Sequence, residues 1–330
     1  MSDPLVSVVV PSYQHAEFVA VAIESVLVQT VADLEVVVVD DGSTDGTPDI
    51  VAALDDPRIR LVRLPENRRE HARNLGLRLA RGRFVAFQNS DDEWLPGKLA
   101  AQLDVLERRA DVGAVFTAVE LIDEDGLPVS GTWADGQFCD GARERTSAEW
   151  LRQFFWRNCL CITSALVRHD LLREVGRFRP SLVQLADVDL WIRLAARANL
   201  HVVPEPLTRM RIGARNLSAP HPGHQARIAM EWADVLENYA RPPLLGRLAE
   251  IFPDAFPDGP DAEPVVDLAA FACHAAAGRD LSRRLLADRV LGRLIDDDES
   301  REKLASRFGN RIFKHFLDLR TQWTISAGQP

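Results

Sequence analysis

Cysteine is scarce in this chain of 330 residues, and its spacing fits neither a zinc knuckle nor a disulfide framework. Four cysteines occur, and Cys159 and Cys161 form a C-x-C pair that no second pair follows. We expect these two, Cys139 and Cys273 to be reduced thiols, mostly buried. Reduced thiols are typical of a cytoplasmic protein.

Long apolar runs and an excess of positive charge are also missing. No stretch of about 18 apolar residues occurs, so we expect no membrane-spanning helix, although reversible contact with a membrane surface is compatible with the sequence. The segment LVSVVVPSY, residues 5–13, is typical of a strand rather than of a signal peptide. The formal net charge of −10 argues against a general nucleic-acid-binding protein, which would normally have a basic patch.

The first half of the chain alternates short apolar segments with segments whose apolar residues recur at helical spacing. Strands that are apolar on both faces and separated by helices indicate an α/β fold, with a mostly parallel sheet covered on both sides. The predicted strands are 7–10, 35–39, 59–64, 84–87, 112–119 and 201–211, and the predicted helices are 18–26, 70–81, 99–106 and 187–199.

Two further regions differ from this pattern. Residues 124–160 contain glycine turns and six aromatic side chains, which either line a groove or pack as core beneath a loop. After about Ser218 the pattern becomes helical, at 221–241, 265–277, 281–295 and 300–323, around a Pro/Asp-rich loop. We therefore expect two domains: an α/β domain at 1–218 and a small helical region at 219–330.

The polar residues of greatest interest follow predicted strands. Parallel α/β sheets bind ligands beyond the carboxyl ends of their strands, where Pro11–Tyr13, Asp40–Asp41 and Asn89–Asp92 fall. Asp91 and Asp92 are adjacent carboxylates that repel each other unless a cation intervenes. Mg²⁺ binds carboxylate and phosphate oxygens, so this pair predicts a metal–phosphate site; a solvated turn is the alternative.

Two other positions after the first strand carry candidate binding chemistry. Asp41 lies in the segment DDGSTDG, where Ser43–Asp45 fit a capped turn and leave Asp41 to accept a hydrogen bond from a base or sugar. Arg73 lies near the start of a helix beside the strand ends. It can bind a phosphate or a base, or it can pair with a surface acid.

Helical geometry separates two acids of the segment ADVDLWIRLA. Asp187 shares a face with Leu190 and Trp191, so it is either a helix cap or a base in a cleft. Asp189 lies on another side of the helix, one turn before Arg193, and is typical of an exposed ion pair.

These motifs together resemble the family-2 glycosyltransferases of the GT-A fold, from about Val6 to Ser218. The matching segments are VSVVVPSYQHAEFVAVAIESVLVQT, LEVVVVDDGSTDGT, HARNLGLRLARG, FVAFQNSDDEWLPGKL and ADVDLWIRLA. In this family a sugar passes, with inversion, from a nucleotide diphosphate to an acceptor hydroxyl. The resemblance implies a UDP-sugar donor, Mg²⁺ or Mn²⁺, and a glycan, lipid-linked glycan or glycoprotein acceptor in bacterial surface glycan synthesis.

The resemblance also implies residue roles. Asp187 falls at the position of the catalytic base. Trp94 is expected to line the donor or acceptor side, and Arg211 to meet phosphate. The remaining implied site comprises a nucleobase pocket from Pro11, Ser12, Tyr13 and Asp41 with Arg73 nearby, a ribose site at Ser90 and Asp91, and a metal site at Asp92 with Asp91.

Three departures from the family pattern stand out. Asn89 replaces an aspartate, which removes one charge from the metal site. Ala186 replaces the glutamate that commonly precedes the base. Met210-Arg211-Ile212-Gly213 lacks the histidine of a Tyr-Arg-x-His. The Gln-x-x-Arg-Trp motif of processive polymerases is also absent, which predicts single sugar additions.

Other functional classes fit less well. A dinucleotide-binding dehydrogenase needs a G-x-G-x-x-G after the first strand, and a P-loop NTPase needs a glycine where Asp92 stands. A magnesium-dependent phosphohydrolase of the haloacid dehalogenase type needs D-x-D near the first strand, which ends in Pro11-Ser12-Tyr13. A sugar-nucleotide-binding module with impaired catalysis remains the alternative to an enzyme.

Overall fold

The apolar segments of the first half form one sheet in the computed structural model, which describes residues 3–67, 70–213, 216, 222–278 and 280–326. The chain divides into two compact units, residues 1–220 and 221–330. The predicted boundary at Ser218 lies outside the described residues. The strands are β1 Val6–Ser12, β2 Leu34–Asp40, β3 Ile59–Arg63, β4 Phe84–Phe87, β5 Glu93–Trp94, β6 Val112–Ile122, β7 Leu166–Arg168 and β8 Asn199–Arg211.

The sheet has the order β3-β2-β1-β4-β7-β6-β8-β5. The pairs β1–β2, β1–β4, β2–β3 and β6–β8 are parallel. The short strands β5 and β7 pair antiparallel with their neighbours, so the sheet is mixed. All the predicted strands and helices of the first half are present, and their ends lie within four residues of the predicted ends.

Alternate residues of the central strands face opposite layers of helices. Val36 and Val38 lie in a buried cluster with residues of the first and fourth helices, whereas Val37 and Val39 pack with Ala72 of the third. This packing confirms a sheet covered on both sides, and it explains why both faces of β2 are apolar. The helices of this unit are α1 Val19–Leu27, α2 Thr47–Ala53, α3 Glu70–Leu79, α4 Lys98–Arg108, α5 Ser147–Trp156, α6 His169–Val175 and α7 Ala186–Ala195.

Helix α5 lies inside the region for which the sequence left groove and core open. Thr146 and Glu149 form a capping box at its start. Trp150, Phe154 and Phe155 are buried, so these three aromatics form core. Trp156 at the end of the helix is 55% exposed.

The unit from residue 221 onward is helical. The predicted single helix at 300–323 was wrong: Gly309, with φ +59°, ends one helix there and Arg311 begins the next. Among the described residues, no helix is both long and apolar enough to cross a membrane. The helices are α8 Gln225–Leu236, α9 Leu248–Ile251, α10 Pro264–Ala276, α11 Leu281–Asp296, α12 Asp298–Phe308 and α13 Arg311–Ser326.

Candidate active site

The carboxyl ends of β2, β1 and β4 meet at one edge of the sheet, because these strands are neighbours and run parallel. Ser12 is in register with Asp40, and the Asp41 main-chain N–H donates to the Ser12 carbonyl oxygen at 2.8 Å. Beyond β4, the Gln88 N–H donates to the Val9 carbonyl at 3.0 Å. The polar residues predicted at these strand ends are therefore close together.

Buried polar atoms mark this edge. Ser12 and Asp41 are 2% and 3% exposed, whereas Tyr13 is 44% exposed. Among the residues that the structure describes, Ser12 Oγ and Asp40 Oδ1 are buried without a hydrogen-bond partner. Buried polar atoms are normally paired, so these two favour a polar ligand at the strand ends.

The turn after β2 holds the loop after β1. Ser43 Oγ accepts from the main-chain N–H of Gln14 at 3.0 Å, and Asp45 Oδ2 accepts from that of Ala16 at 3.0 Å. Asp45 Oδ1 also accepts from the N–H of Thr47, the first residue of α2. The segment is a capped turn, as predicted for Ser43–Asp45, and it also fixes the neighbouring loop.

Asp92 is enclosed rather than open to a ligand. Its side chain is 2% exposed, and Oδ2 accepts from Thr163 Oγ1 at 2.6 Å and from Asn89 Nδ2 at 3.0 Å. Oδ1 accepts from the Arg211 main-chain N–H at 2.9 Å. Burial and these three hydrogen bonds from the protein make Asp92 a less favourable principal metal ligand than expected.

The same contacts give the departure at Asn89 a physical reason. An aspartate at this position would place a third carboxylate against Asp92. The amide of Asn89 instead donates a hydrogen bond to Asp92. Asn89 is therefore matched to a buried carboxylate at position 92.

Asp91 points to a small cavity. Burial raises the pKa of Asp91 above its ordinary value, and burial together with the Asp91 charge raises that of Asp92. Ser90, expected at the ribose, is 2% exposed, and its Oγ lies 2.8 Å from His15 Nδ1 on the cavity wall. The cavity is lined by His15, Glu17, Phe18, Asp91, Glu124, Arg211, Gly213 and Asn216.

These residues fit a divalent cation that shares its coordination with a ligand. Burial disfavours the ionised form of both carboxyls, and the Asp91 charge disfavours that of Asp92 further, so a bound cation would stabilise their ionised forms. Among the described residues, no group of three or more His, Cys, Asp or Glu side chains converges on a metal position. A site with one or two carboxylates is what Mg²⁺ uses when substrate phosphates complete its shell.

Arg211 anchors the acidic segment instead of facing a ligand. Its guanidinium donates to the Asp91 carbonyl at 2.8 Å, to the Asp123 and Glu124 carbonyls at 2.7 and 2.9 Å, and to Glu93 Oε1 at 2.7 Å. Arg211 is 5% exposed. The expectation that it meets phosphate is not favoured, because each guanidinium nitrogen already donates to a protein oxygen.

Trp94 belongs to the core, which corrects its expected position on the donor or acceptor side. It is 2% exposed, packs in the main apolar cluster, and donates from Nε1 to the Thr163 carbonyl at 2.9 Å. The Nζ atom of the buried Lys98 lies 3.9 Å from the centre of its ring. A tryptophan buried this way cannot stack on a sugar.

Asp187 is the second residue of α7 and is partly buried. The helix is preceded by Leu185 without a side-chain cap, so Asp187 is not an N-cap. Its Oδ1 accepts from the Val188 N–H at 2.7 Å, and Oδ2 accepts from Asn158 Nδ2 at 2.8 Å. Burial raises the pKa of Asp187 to about 6, which brings it closer to the operating range of a general base.

Arg73 lies near this acid. Its positive charge opposes the rise in the pKa of Asp187, and its guanidinium carbon lies 5.2 Å from the centre of the Phe178 ring. The neighbouring Asn74 bonds both the N–H and the carbonyl of Phe178, at 3.1 and 2.9 Å. The start of α3 and the chain before α7 are thereby held together beside Asp187.

The prediction of an exposed Asp189 was wrong, although its ion pair with Arg193 is present at 2.8 Å. Asp189 is fully buried and also pairs with Arg179 at 3.2 Å. Arg193 donates further to the carbonyls of Val175 and Gly176, so the chain between α6 and α7 covers the pair. The helical periodicity predicts which face of the helix carries Asp189, but it does not predict that another segment covers that face.

Sequence reasoning missed the segment 158–164, which links the two acidic centres. Asn158 at one end donates to Asp187, and Thr163 at the other donates to Asp92. Cys161 lies between them, and burial followed by the charges of Asp92 and Asp187 raises the pKa of its thiol. In the sequence, this segment differs from a core segment by a few polar residues among apolar residues and cysteines.

The sequence profile described as "Glycosyl transferase family 2" matches residues 7–176, just over half of the chain. The chain belongs to this family. Its relatives include the putative teichuronic acid biosynthesis glycosyltransferase TuaG of Bacillus subtilis (strain 168), which is 43% identical over 129 residues. That match covers 38% of this chain and 51% of TuaG, so the family-2 chain spans about half the length of this relative.

Solved structures share its fold. S. aureus TarS 1–349 in complex with UDP-GlcNAc aligns with a TM-score of 0.60 at 17% identity, over 97% of this chain and 92% of TarS 1–349. The mannosyltransferase PcManGT from Pyrobaculum calidifontis, in complex with GDP-Man and Mn²⁺, gives 0.55 at 22% identity, over 98% and 87%. The predicted GT-A α/β fold with a helical C-terminal region is confirmed.

Proposed function

We propose that this family-2 chain is an inverting, non-processive glycosyltransferase that moves a sugar from a nucleotide diphosphate, with UDP as the first candidate, to an acceptor hydroxyl. The single observation that carries the proposal is that the segment 158–164 bonds Asp187 at one end and Asp92, next to Asp91, at the other. Single-displacement transfer requires a base for the acceptor and an acidic centre that binds the diphosphate. The segment 158–164 holds both.

In this proposal Asp187 removes the proton of the acceptor hydroxyl. Its raised pKa of about 6 leaves it mostly ionised near neutral pH while keeping it basic enough to accept a proton. Arg73 provides a cation beside it. Pro11–Tyr13 and Asp41 contact the nucleobase, and Ser90 lies at the ribose.

Asp91 would bind Mg²⁺ or Mn²⁺. The enclosed Asp92 would lie behind Asp91 and support the metal site. A divalent cation at this position supplies charge neutralisation for the departing diphosphate. Asp91 replaces Asp92 as the principal ligand in the proposal, since Asp91 lines the cavity and Asp92 is enclosed.

The proposed acceptor is a bacterial surface glycan, a lipid-linked glycan or a glycoprotein. The name of TuaG refers to teichuronic acid biosynthesis, and TarS 1–349 was solved with UDP-GlcNAc. The first supports a surface-glycan role for this chain, and the second supports a UDP-sugar donor.

Calorimetry with UDP, GDP and dTDP, each with and without Mn²⁺, tests the donor side. We expect metal-dependent binding of at least one of these nucleotides, and the absence of binding to all three would refute the proposal. The exposed Asp104, which pairs with Arg108 on α4, provides the control variant Asp104→Asn, whose binding should equal that of the unmodified protein.

A further inference from the structure

Asn158 has both ends of its side-chain amide engaged. Oδ1 accepts from the Leu160 main-chain N–H at 3.1 Å, and Nδ2 donates to Asp187 Oδ2 at 2.8 Å. The N–H of Leu160 requires an acceptor, which fixes the amide with its NH₂ group towards Asp187. The amide is thus oriented by its own chain before it contacts the acid.

Among the described residues, each oxygen of the acid accepts one hydrogen bond from another residue, Oδ1 from the Val188 N–H and Oδ2 from Asn158. A carboxylate oxygen accepts about two hydrogen bonds, so each retains capacity for a further proton donor. Val188 is part of the helix itself. Asn158 is the contact that comes from another element and can set the direction of the carboxylate.

We propose that Asn158 is the positioning residue of the base: it fixes the orientation of Asp187 and favours its ionised form. The inference rests on the proposed function of Asp187. Among the described residues, the other side chains that interact electrostatically with this carboxyl are Arg73 from α3, whose charge favours the ionised form, and the Cys161 thiol from the segment 158–164. An amide that donates only to Asp187 is suited to tuning the carboxyl without taking up its proton.

The test measures the pKa of Asp187 directly by carboxyl ¹³C NMR on the full chain, with the resonance assigned from its loss in Asp187→Asn. We expect Asn158→Ala to raise this pKa by about 1 unit, because a hydrogen bond to a charged group is lost. Asn158→Asp should raise it further, since a second carboxylate repels the first. Asn199→Ala removes a similar amide–carboxylate contact, Nδ2 to Asp111 at 2.9 Å, and should leave it unchanged.

Hydrolysis of UDP-glucose and UDP-GlcNAc, with water as the acceptor and Mn²⁺ present, provides the second readout. In Asn158→Ala the acid limb of the pH–rate profile should shift to higher pH, by as much as the pKa of Asp187 rises. The affinity for UDP should stay the same. An unchanged pKa of Asp187 in Asn158→Ala would overturn the positioning role. A raised pKa without any effect of Asp187→Asn on hydrolysis would instead overturn the base assignment in the proposed function.

A separate observation concerns two thiols. The Sγ atoms of Cys139 and Cys159 are 2.9 Å apart, and the Cys139 N–H donates to the Cys159 carbonyl at 2.9 Å. The contact with Cys159 and the charges of Arg145 and Arg157 lower the pKa of the Cys139 thiol to about 7, against the effect of burial. A nearby thiolate and thiol are the arrangement from which a disulfide forms.

We infer that peroxide converts this pair into a reversible disulfide next to Asn158. The Cys139 thiolate attacks the peroxide O–O bond, giving a sulfenic acid and hydroxide. The Cys159 thiol then attacks that sulfur, forming the S–S bond and releasing water. Overall, two thiols lose two electrons and two protons, and hydrogen peroxide is reduced to two waters.

Hydrogen peroxide treatment of the folded chain, followed by intact-mass and peptide analysis, tests this pair. We expect the loss of two hydrogen atoms, a crosslink between Cys139 and Cys159, and reversal by dithiothreitol. Cys139→Ser should abolish the crosslink, whereas Cys273→Ser should retain it. Peroxide treatment that gives no such crosslink, or that oxidises Cys139 only to the sulfinic acid, would overturn the inference.

Discussion

Asp91 and Asp92 are adjacent in the sequence, but single contacts at the strand ends give the two acids different environments. Asp91 lines the cavity, whereas Asp92 accepts hydrogen bonds from Thr163, Asn89 and the main chain of Arg211. Asp91 lies in a turn between β4 and β5, so the two adjacent carboxylates have different surroundings. The order of the two acids was visible in the sequence, but their directions were not.

We expect Asp91→Asn and Asp92→Ala to have different effects. Asp91→Asn should weaken metal-dependent UDP binding at least about tenfold without lowering the melting temperature, because it removes a ligand charge that burial already disfavours. Asp92→Ala should lower the free energy of unfolding by about 1–3 kcal/mol, since buried donors lose their acceptor. Calorimetry and thermal unfolding measure both. Equal stability losses in the two variants would contradict the assignment.

Asp187→Asn should abolish sugar transfer while UDP binding is retained, because the amide cannot take up the acceptor proton. The folded-state pKa of about 6 lies above the ordinary value of 3.8, so the folded protein holds this proton more tightly than the unfolded chain. As pH rises from about 4 through 6, ionisation of Asp187 therefore lowers the free energy of unfolding. The asparagine of the Asp187→Asn variant does not ionise, so the variant avoids this loss. We expect the variant to be about 1–3 kcal/mol more stable at pH 8. A variant that still transfers sugar would exclude Asp187 as the base.

The pH dependence of transfer follows from the same group. A base must be ionised, so the rate at saturating donor and metal should fall as pH decreases through about 6. Rate profiles from pH 5 to 8 measure this. An acid limb near pH 4 would indicate that Asp187 is not desolvated in the working enzyme.

Elements with a strong apolar pattern were predictable, and short elements were not. The run Val36–Val39 predicts a strand because only burial on both faces accommodates it. Strands β5 and β7 have two and three residues, too few to show a period, and they form because neighbouring strands provide partners. The covering of Asp189 and the burial of Trp94 likewise depend on distant segments.

At the end of β8, Arg211 joins elements that are far apart in the sequence. Arg211→Lys should lower the free energy of unfolding and weaken UDP binding, because an ammonium cannot reach the carbonyls of Asp91 and Asp123 and the Glu93 carboxylate together. Arg209→Lys is the matched control: Arg209 lies on the same strand, is about 30% exposed and pairs with Glu120 at 2.7 Å. Thermal unfolding and calorimetry should show a clearly larger effect at 211 than at 209.

At the scale of the whole molecule, the proposed site residues all lie in one of the two compact units. Every residue proposed to bind the nucleotide or metal or to act as the base, from Pro11 to Asp187, belongs to residues 1–220. That unit contains the complete sheet and its own buried core. A fragment of residues 1–220 should therefore fold and bind UDP with Mn²⁺ within about threefold of the full chain, a difference of roughly 0.7 kcal/mol. Circular dichroism checks folding and calorimetry checks binding; a folded fragment that does not bind UDP, when the full chain does, would assign part of the donor site to residues 221–330.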